Sequence, residues 1–542
     1  MNNFFESNPK GKIPRNKFNL THDRKFSFNM GKLYPICVME AVPGDSFRCS
    51  NELMVRTAPL AAPVMARMKV KVESFFVPKR ILWDEFEEWI TGGPDGTSVP
   101  VAPYFDKASL MANSVKMIPG TLWDHMGLPT VSGGSEADAL WAPKISVLAF
   151  RAYAHIWNEW YRIPELMDPI DVTGESGAIV GGELTALLEM QRRCWERDYF
   201  NTCQPNAQRG VAAAAPIDIA YAANSTFKKT ADGLGVPVSY DAGIGANGVA
   251  GELGYVDPAT NNRAGQARIE NIGSASVLVE AIRVAAAVQK WLEASARAGS
   301  RYVELLFQSF HIKSQDSRLQ RPELLGGHVG NIQISEVLST VQFEGATDDL
   351  PQGNMAGHGL HIGHGAGYTY RAPEHGFFIT LMSVVPEGGR YGNGYYSGIP
   401  KMFQRFSKFD EYWPLFANLG EQAVTRKELS ANMDLAAGEA QGDQVFGYTE
   451  RYGEFKWLNS TVHGDFRTSL AYWQMHQGFV PDNAGLTPML DSNFLLVDPD
   501  LQDMNRIFAV TDPDVDHFLC LAINKVSALR PMPYHVSPGG TV

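Results

Sequence analysis

The stretch Met68-Lys-Val-Lys-Val-Glu-Ser-Phe-Phe-Val77 decides the architecture. Met68, Val70, Val72 and Phe76 point one way while Lys69, Lys71 and Glu73 point the other, the period of two that marks a half-buried strand. Similar β-rich runs occupy residues 47–56, 332–343, 376–385, 445–457 and 517–526. Pro43-Gly44-Asp45 and Pro386-Glu-Gly-Gly389 lie between such runs and supply turns, because proline fixes φ and glycine tolerates positive φ.

Helical spacing interrupts this framework, most plainly over residues 274–298, where Leu278, Ile282, Ala285, Ala286 and Gln289 recur behind serine caps. Further helices are expected over 145–161, 183–200 and 82–90. Strands and helices do not alternate regularly, which disfavours a doubly wound parallel sheet. The pattern predicts a mainly β sandwich with helical insertions. Two stretches, 91–143 and 205–273, are too long for ordinary connections. The second is read as a surface loop on a rigid scaffold, with Tyr240, Asn247, Tyr255 and Asn261 as candidate polar or aromatic contacts; the alternative is a tolerated insertion. Arg530-Pro-Met-Pro-Tyr-His-Val-Ser-Pro-Gly-Gly540 cannot donate a continuous ladder of hydrogen bonds and reads as an extended tail.

The 542 residues are 44% hydrophobic and 20% charged, enough apolar material for a sizeable core. A net charge of −12 argues against a surface that tracks nucleic acid throughout. The first thirty residues differ in sign: Lys10, Lys12, Arg15, Lys17, Arg24 and Lys25 stand against only Glu6 and Asp23. This basic arm is a candidate contact for single-stranded DNA, with Phe4, Phe5 and Phe18 as stacking faces, and a solvated charged tail is the alternative. Cys37, Cys49, Cys194, Cys203 and Cys520 are odd in number and form no C-x-x-C pair, so they read as buried thiols of a reducing cytoplasm. Neither a signal peptide nor a membrane span is expected.

Three constellations invite chemistry and are read otherwise. His358, His361 and His364 in Gly357-His-Gly-Leu-His-Ile-Gly-His-Gly365 lack the rigid helix and spacing of a zinc site, and a loop of solvated histidines is expected. Asp512-Pro-Asp-Val-Asp516 begins like a calcium loop, but His517 replaces the required glycine and Ile523 the bidentate glutamate, leaving a turn. Asp84 and Glu88 are one helical turn apart opposite Leu82, Phe86 and Trp89, as on a surface helix rather than in a glycosidase. There is no G-x-S-x-G, P-loop or H-E-x-x-H motif. No catalytic residue, metal or cofactor is expected. Trp457 and Arg451 are of the residue types that subunit contacts favour.

Several blocks, taken in order, carry a family resemblance. They are Phe26-Ser-Phe-Asn-Met-Gly31, Val42-Pro-Gly-Asp-Ser-Phe47, Phe75-Phe-Val-Pro-Lys-Arg-Ile-Leu-Trp83, Ile156-Trp-Asn-Glu-Trp-Tyr-Arg162, Trp195-Glu-Arg-Asp-Tyr-Phe200, Ser317-Arg-Leu-Gln-Arg-Pro-Glu323, Gly420-Glu-Gln422, Glu450-Arg-Tyr-Gly-Glu454 and Arg530-Pro-Met-Pro533. In this order the chain resembles the major capsid proteins of the Microviridae, small tailless single-stranded DNA bacteriophages, especially the gokushovirus-like members. The resemblance implies an eight-stranded antiparallel jelly roll and homo-pentamers closing into an icosahedral T=1 shell around a circular single-stranded DNA genome. It also implies an insertion loop near the threefold axes that serves host attachment, which makes Tyr240, Asn247, Tyr255 and Asn261 the host-contact candidates. The implied partners are further copies of the chain, the packaged DNA, a small internal DNA-binding protein, a scaffolding protein, a pilot protein and a host-surface receptor. The location would be the virion, assembled in the bacterial cytoplasm. The expected organisation is a basic arm over 1–30, one jelly-roll domain over 31–529 and a tail over 530–542. A carbohydrate-binding adhesin or spike and a carbohydrate-active β enzyme are the competing readings.

Overall fold

In the computed structural model the described residues are 15–91, 98–131, 144–208, 227–229, 254–256, 263–269, 285, 288–289, 320–338, 355–365, 367–387, 398–417, 420–429, 443–476 and 489–535. The chain forms two units, Gln208–Arg297 and the remainder.

In the larger unit the N-terminal strands are β1 (Asn16–Asn19), β2 (His22–Phe28), β3 (Tyr34–Ala41), β4 (Ser46–Thr57) and β5 (Arg67–Pro78). A helical insertion follows, with α1 (Phe86–Thr91), α2 (Lys107–Ala112), α3 (Leu122–His125), α4 (Leu148–Ile156) and α5 (Gly181–Leu187). It also holds a small sheet of β6 (Tyr104–Phe105), β7 (Ile145–Ser146) and β8 (Ala178–Ile179). The smaller unit contains a three-stranded sheet of β9 (Phe227–Lys229), β10 (Gly254–Val256) and β11 (Arg263–Ile269). The larger unit resumes with β12 (Glu323–Leu338), β13 (Met355–His364), β14 (Tyr368–Arg371) and β15 (Gly376–Glu387). The hairpin pair β16 (Glu421–Thr425) and β17 (Val445–Glu450) comes next, and β18 (Phe518–Arg530) closes the chain.

The main sheet runs β1-β18-β4-β13-β12-β5-β15-β3, with β14 also on β4 and β2 also on β18. All its pairings are antiparallel. Strand β12 serves two neighbours: Glu323 to Ile332 pair with β5, and Gln333 to Leu338 pair with β13. The path therefore curls into two faces, β2-β18-β4-β13 and β3-β15-β5-β12. Leu53, Val55 and Ala522 from one face cluster with Met68, Val70, Val72, Met382 and Val384 from the other. Cys520 Sγ lies 3.9 Å from Met382 Sδ, and the rings of Phe47 and Phe378 are 4.4 Å apart. The mainly antiparallel jelly-roll expectation holds, in a sheet that counts ten strands.

The outer side of β5 explains why its alternation ends at Ser74. Phe75 and Val77, with Ile379 and Leu381 of β15, pack beneath Phe150, Tyr153 and Trp157 of the insertion. Both sides of these strands are covered there, so β15 reads as an almost unbroken apolar run. Lower on β5 the charged side faces the segment after α5: Lys69 and Lys71 pair with Glu196 at 3.0 and 2.6 Å.

That segment corrects one expected helix. Residues 183–200 are helical only through Leu187, because the chain beyond is drawn into extended pairing. Gln191 O accepts from Leu33 N at 2.9 Å, Arg193 N donates to Gly31 O at 2.7 Å, and Trp195 N donates to Leu495 O at 2.9 Å. Propensity yields here to backbone partners supplied by segments distant in sequence. The helix expected over 82–90 starts at Phe86, and that over 145–161 is β7 and α4 ending in one wider turn, Trp157–Tyr161. Of the helix expected over 274–298, only residues 285, 288 and 289 are described, and they are helical.

The histidine loop is also corrected. Residues 357–364 belong to β13, with the glycines alternating on its inner face. A Cβ on Gly359 would lie 2.7 Å from Thr57 Cγ2 and 2.8 Å from Ile332 Cγ2, so glycine is needed for close strand approach, not for a turn. Asp512 to Asp516 form the expected turn, with Val515 N donating to Asp512 O at 3.2 Å.

Candidate functional site

A protein whose work is to bind copies of itself should show apolar surface that its own fold leaves uncovered. The segment Ile399-Pro-Lys-Met-Phe-Gln-Arg-Phe-Ser-Lys-Phe-Asp-Glu-Tyr-Trp-Pro-Leu-Phe416 has this property. Pro400 and Pro414 prevent a continuous helix or ladder, and the chain makes short turns at Lys401–Phe403 and Pro414–Phe416 instead. Asp410 holds the middle by accepting from Phe406 N and Ser407 N at 3.1 and 2.8 Å.

The polar atoms of this segment are spent inward. Lys401 approaches the buried Glu428 at 3.4 Å, and Arg405 pairs with Glu454 at 3.1 Å while stacking on Phe455 at 4.3 Å. Tyr452 OH donates to Glu411 O at 3.1 Å. The rings are left outside: Phe406 is 92% exposed and Leu415 82%, with Met402, Phe403, Phe409, Tyr412 and Trp413 also exposed. Leu458 projects fully into solvent nearby in sequence, beyond Phe455 and Trp457. Arg451 lies over Phe416 and Tyr452, at 5.9 and 5.4 Å. Aromatic, Met and Arg side chains with few unpaired charges are the composition of an interface core.

A second apolar surface lies on the helical insertion. Trp89, Ile90, Val99, Val101 and Val180 are exposed, and Gly177 N donates to Val101 O at 2.9 Å, which ties the segment before β6 to the turn before β8. Glu88 accepts from Ser98 Oγ, and Asp84 N donates to Gly174 O at 3.1 Å, so both carboxylate-bearing residues brace this surface.

The residues expected to touch DNA separate. Lys10 and Lys12 lie outside the described residues. Arg15 and Lys17 are exposed at the sheet edge, and Lys25 is exposed beside Asp23 at 3.0 Å. Arg24 turns to the half-buried side of β2, donating to His125 O at 2.7 Å and Pro35 O at 3.3 Å. Of the host-contact candidates, Tyr255 has its backbone in β10, while Tyr240, Asn247 and Asn261 lie outside the described residues. The tail begins against the N-terminal strand, where Met532 O accepts from Asn16 Nδ2 at 2.8 Å and Tyr534 stacks on Phe18 at 5.8 Å. Four cysteines are buried, Cys194 is half-buried, and all five are unbridged. Among the described residues no helix is long and apolar enough to cross a membrane.

The family model described as Capsid protein (F protein) matches residues 7–540. The chain belongs to that family. It is 30% identical to Capsid protein VP1 of Chlamydia phage 1, over 99% of this chain and 98% of that protein. It is 31% identical to Capsid protein VP1 of Bdellovibrio phage phiMH2K, over 94% and 92%, and 28% identical to that of Spiroplasma virus 4, over 97% and 95%. The resemblance carried by the sequence blocks therefore holds along nearly the whole chain. The protein is a major capsid protein, a structural component of a bacteriophage virion that assembles into a shell and is not an enzyme.

Proposed function

We propose that this capsid protein closes into pentamers, and the pentamers into an icosahedral T=1 shell around circular single-stranded DNA, using the 399–416 aromatic surface as one of its self-contacts. The exposed rings of that segment carry the reading, because Lys401 and Arg405 already have carboxylate partners within the subunit while its apolar area is uncovered. A heterologous contact repeated by rotation makes a ring, and joining rings into a shell takes a further, different contact. The Trp89, Val99, Val101 and Val180 surface supplies a candidate for the second.

Phe406→Asp with Leu415→Asp tests this, since both side chains face solvent and the monomer should keep its thermal midpoint. Negative-stain imaging and sedimentation are expected to show soluble subunits without shells. Normal particles from the double variant would remove the surface from the assembly.

The same reading places Lys10, Lys12, Arg15, Lys17 and Lys25 against packaged DNA, with Arg24 acting as a brace. It places Tyr240, Asn247, Tyr255 and Asn261 in the host-contact loop. A small internal DNA-binding protein, a scaffolding protein and a pilot protein complete the partners, with assembly in the host cytoplasm. Charge removal at the lysines should lower genome content in purified particles. Deletion within 205–273 should impair adsorption but not shell formation.

A further inference from the structure

From Gly357 onward, the inner face of β13 and the residue that follows it read Gly357, Gly359, His361, Gly363 and Gly365, so His361 is the single bulky side chain in that stretch. It is 6% exposed. Its ring fills space that only glycine can leave: a Cβ on Gly330 of β12 would lie 2.1 Å from His361 Cε1, and a Cβ on Gly363 2.4 Å from Nε2. His328 sits two residues before Gly330 on the same face of β12, and a Cβ on Gly365 would lie 2.9 Å from its Nδ1. The two imidazoles occupy the stretch where β12 leaves β5 for β13, the seam that joins the two faces of the sandwich.

The hydrogen bonding of the pair leaves no acceptor for an added proton. His361 Nδ1 lies 2.9 Å from Asn331 O, so it carries the proton and donates it. Nε2 of His361 and Nε2 of His328 are both buried without a hydrogen-bond partner. A proton on His328 Nε2 would add a buried N–H with no acceptor, beside a second imidazole.

We propose that His328, packed against His361, is an acid-triggered latch whose protonation opens the β12–β13 seam while the β3-β15-β5 part of the sheet stays paired.

Among the described residues, nothing around the pair offsets a charge added to His328. From β5, Val70 and Val72 face it, and from β4, Leu53 and Val55 do. On the same side of β12, Glu323 is engaged by Tyr370 OH at 2.7 Å and Glu336 is exposed at the opposite end. From β14 comes Tyr368, whose hydroxyl burial pushes to higher pKa, and from β4 Cys49, pushed up to about 11 by burial, so neither ionises in the acid range. His358 and His364 lie on the outer face, where Glu52 takes His364 at 3.2 Å and pairs with Lys525. Burial, and then the neighbouring His361, hold His328 below the ordinary imidazole value. A depressed folded value means that the stabilisation is intact above about pH 6.5 and is lost as pH falls through the lowered value.

Hydrogen exchange of the full-length protein, corrected for the intrinsic effect of pH, tests the latch at about pH 7.5 and about pH 5. Peptides from 325–338 and 355–364 should exchange roughly tenfold faster at the lower pH, with little change in 376–387. In His328→Gln combined with His361→Asn, whose amide replaces the Nδ1 donor, that acceleration should disappear. Should the double variant not fold, His328→Gln alone should reduce it. Acceleration shared by every strand, no acceleration, or a full effect persisting in the variants would each overturn the proposal.

Discussion

Arg193 and Glu73 form a two-pronged ion pair, with the guanidinium nitrogens 2.8 and 3.0 Å from the two carboxylate oxygens. Tyr161 closes the group, donating its hydroxyl to Glu73 and offering its ring to Arg193 at 5.2 Å. The pair fastens the chain after α5 to the outer side of β5. Burial works against ionisation of Glu73, but the charge and hydrogen bonds of Arg193 prevail and hold the carboxyl below its ordinary value. Its stabilisation is therefore present above the usual carboxylate range and lost as pH falls through that lowered value. Arg193→Met, which leaves a half-buried carboxylate unpaired, should cost about 3 kcal/mol in urea unfolding. Glu73→Leu combined with Arg193→Met should cost clearly less.

Phe47 and Phe378 meet across the sandwich at 4.4 Å, within a small cluster that includes Phe76. Phe47→Ala should lower stability by about 3–5 kcal/mol, the cost of lost burial plus a cavity between rigid sheets. The urea midpoint should fall with an unchanged slope.

Gly31 has φ of 84°, and an added Cβ would lie 2.2 Å from the Val497 carbonyl oxygen. Gly120 has nearly the same φ, 83°, with nothing within 4 Å. Gly120→Ala should cost about 1 kcal/mol for the backbone conformation alone. Gly31→Ala should exceed it measurably in parallel thermal melts, and equal losses would show that the segment around Val497 simply moves aside.

His125 packs edge-on against Phe26 and Tyr34, with ring centroids 5.2 and 4.9 Å away. Burial pushes its pKa down to about 4. The folded value lies below the unfolded one, so stability is complete above about pH 6.5 and declines toward pH 4, by on the order of 3 kcal/mol for this group. His125→Phe should flatten that part of the pH–stability profile. An unchanged profile would assign the acid loss elsewhere, for instance to His476, also pushed down to about 4 by burial and by Arg506.

What was legible in the sequence followed the chemistry of single elements. Strands β4, β5 and β18 alternate because one side of each faces the sandwich interior, and that pattern is local. Strand β13 was misread because glycine ordinarily signals a turn; only the neighbouring strand shows that its glycines admit Thr57, Ile332 and His361. Arg24 and Lys25 are equivalent as charges, and the pleat alone sends one to backbone carbonyls and the other to solvent. The 399–416 surface went unrecognised because aromatic residues usually signal core. A ring about every third residue between two prolines was the available clue, and exposure is a property of the tertiary structure.

Strand β18 lies between β4 on one side and β1 and β2 on the other, so residues 16–28 have their partner at 518–530. A ribosome must travel from Phe28 to Phe518 before that slot can be filled. Strands β1 and β2 wait for that neighbour until then, and closure of this half of the sandwich is a late, long-range event. Stalling synthesis just short of Phe518 should leave the N-terminal strands open to protease, and release should protect them.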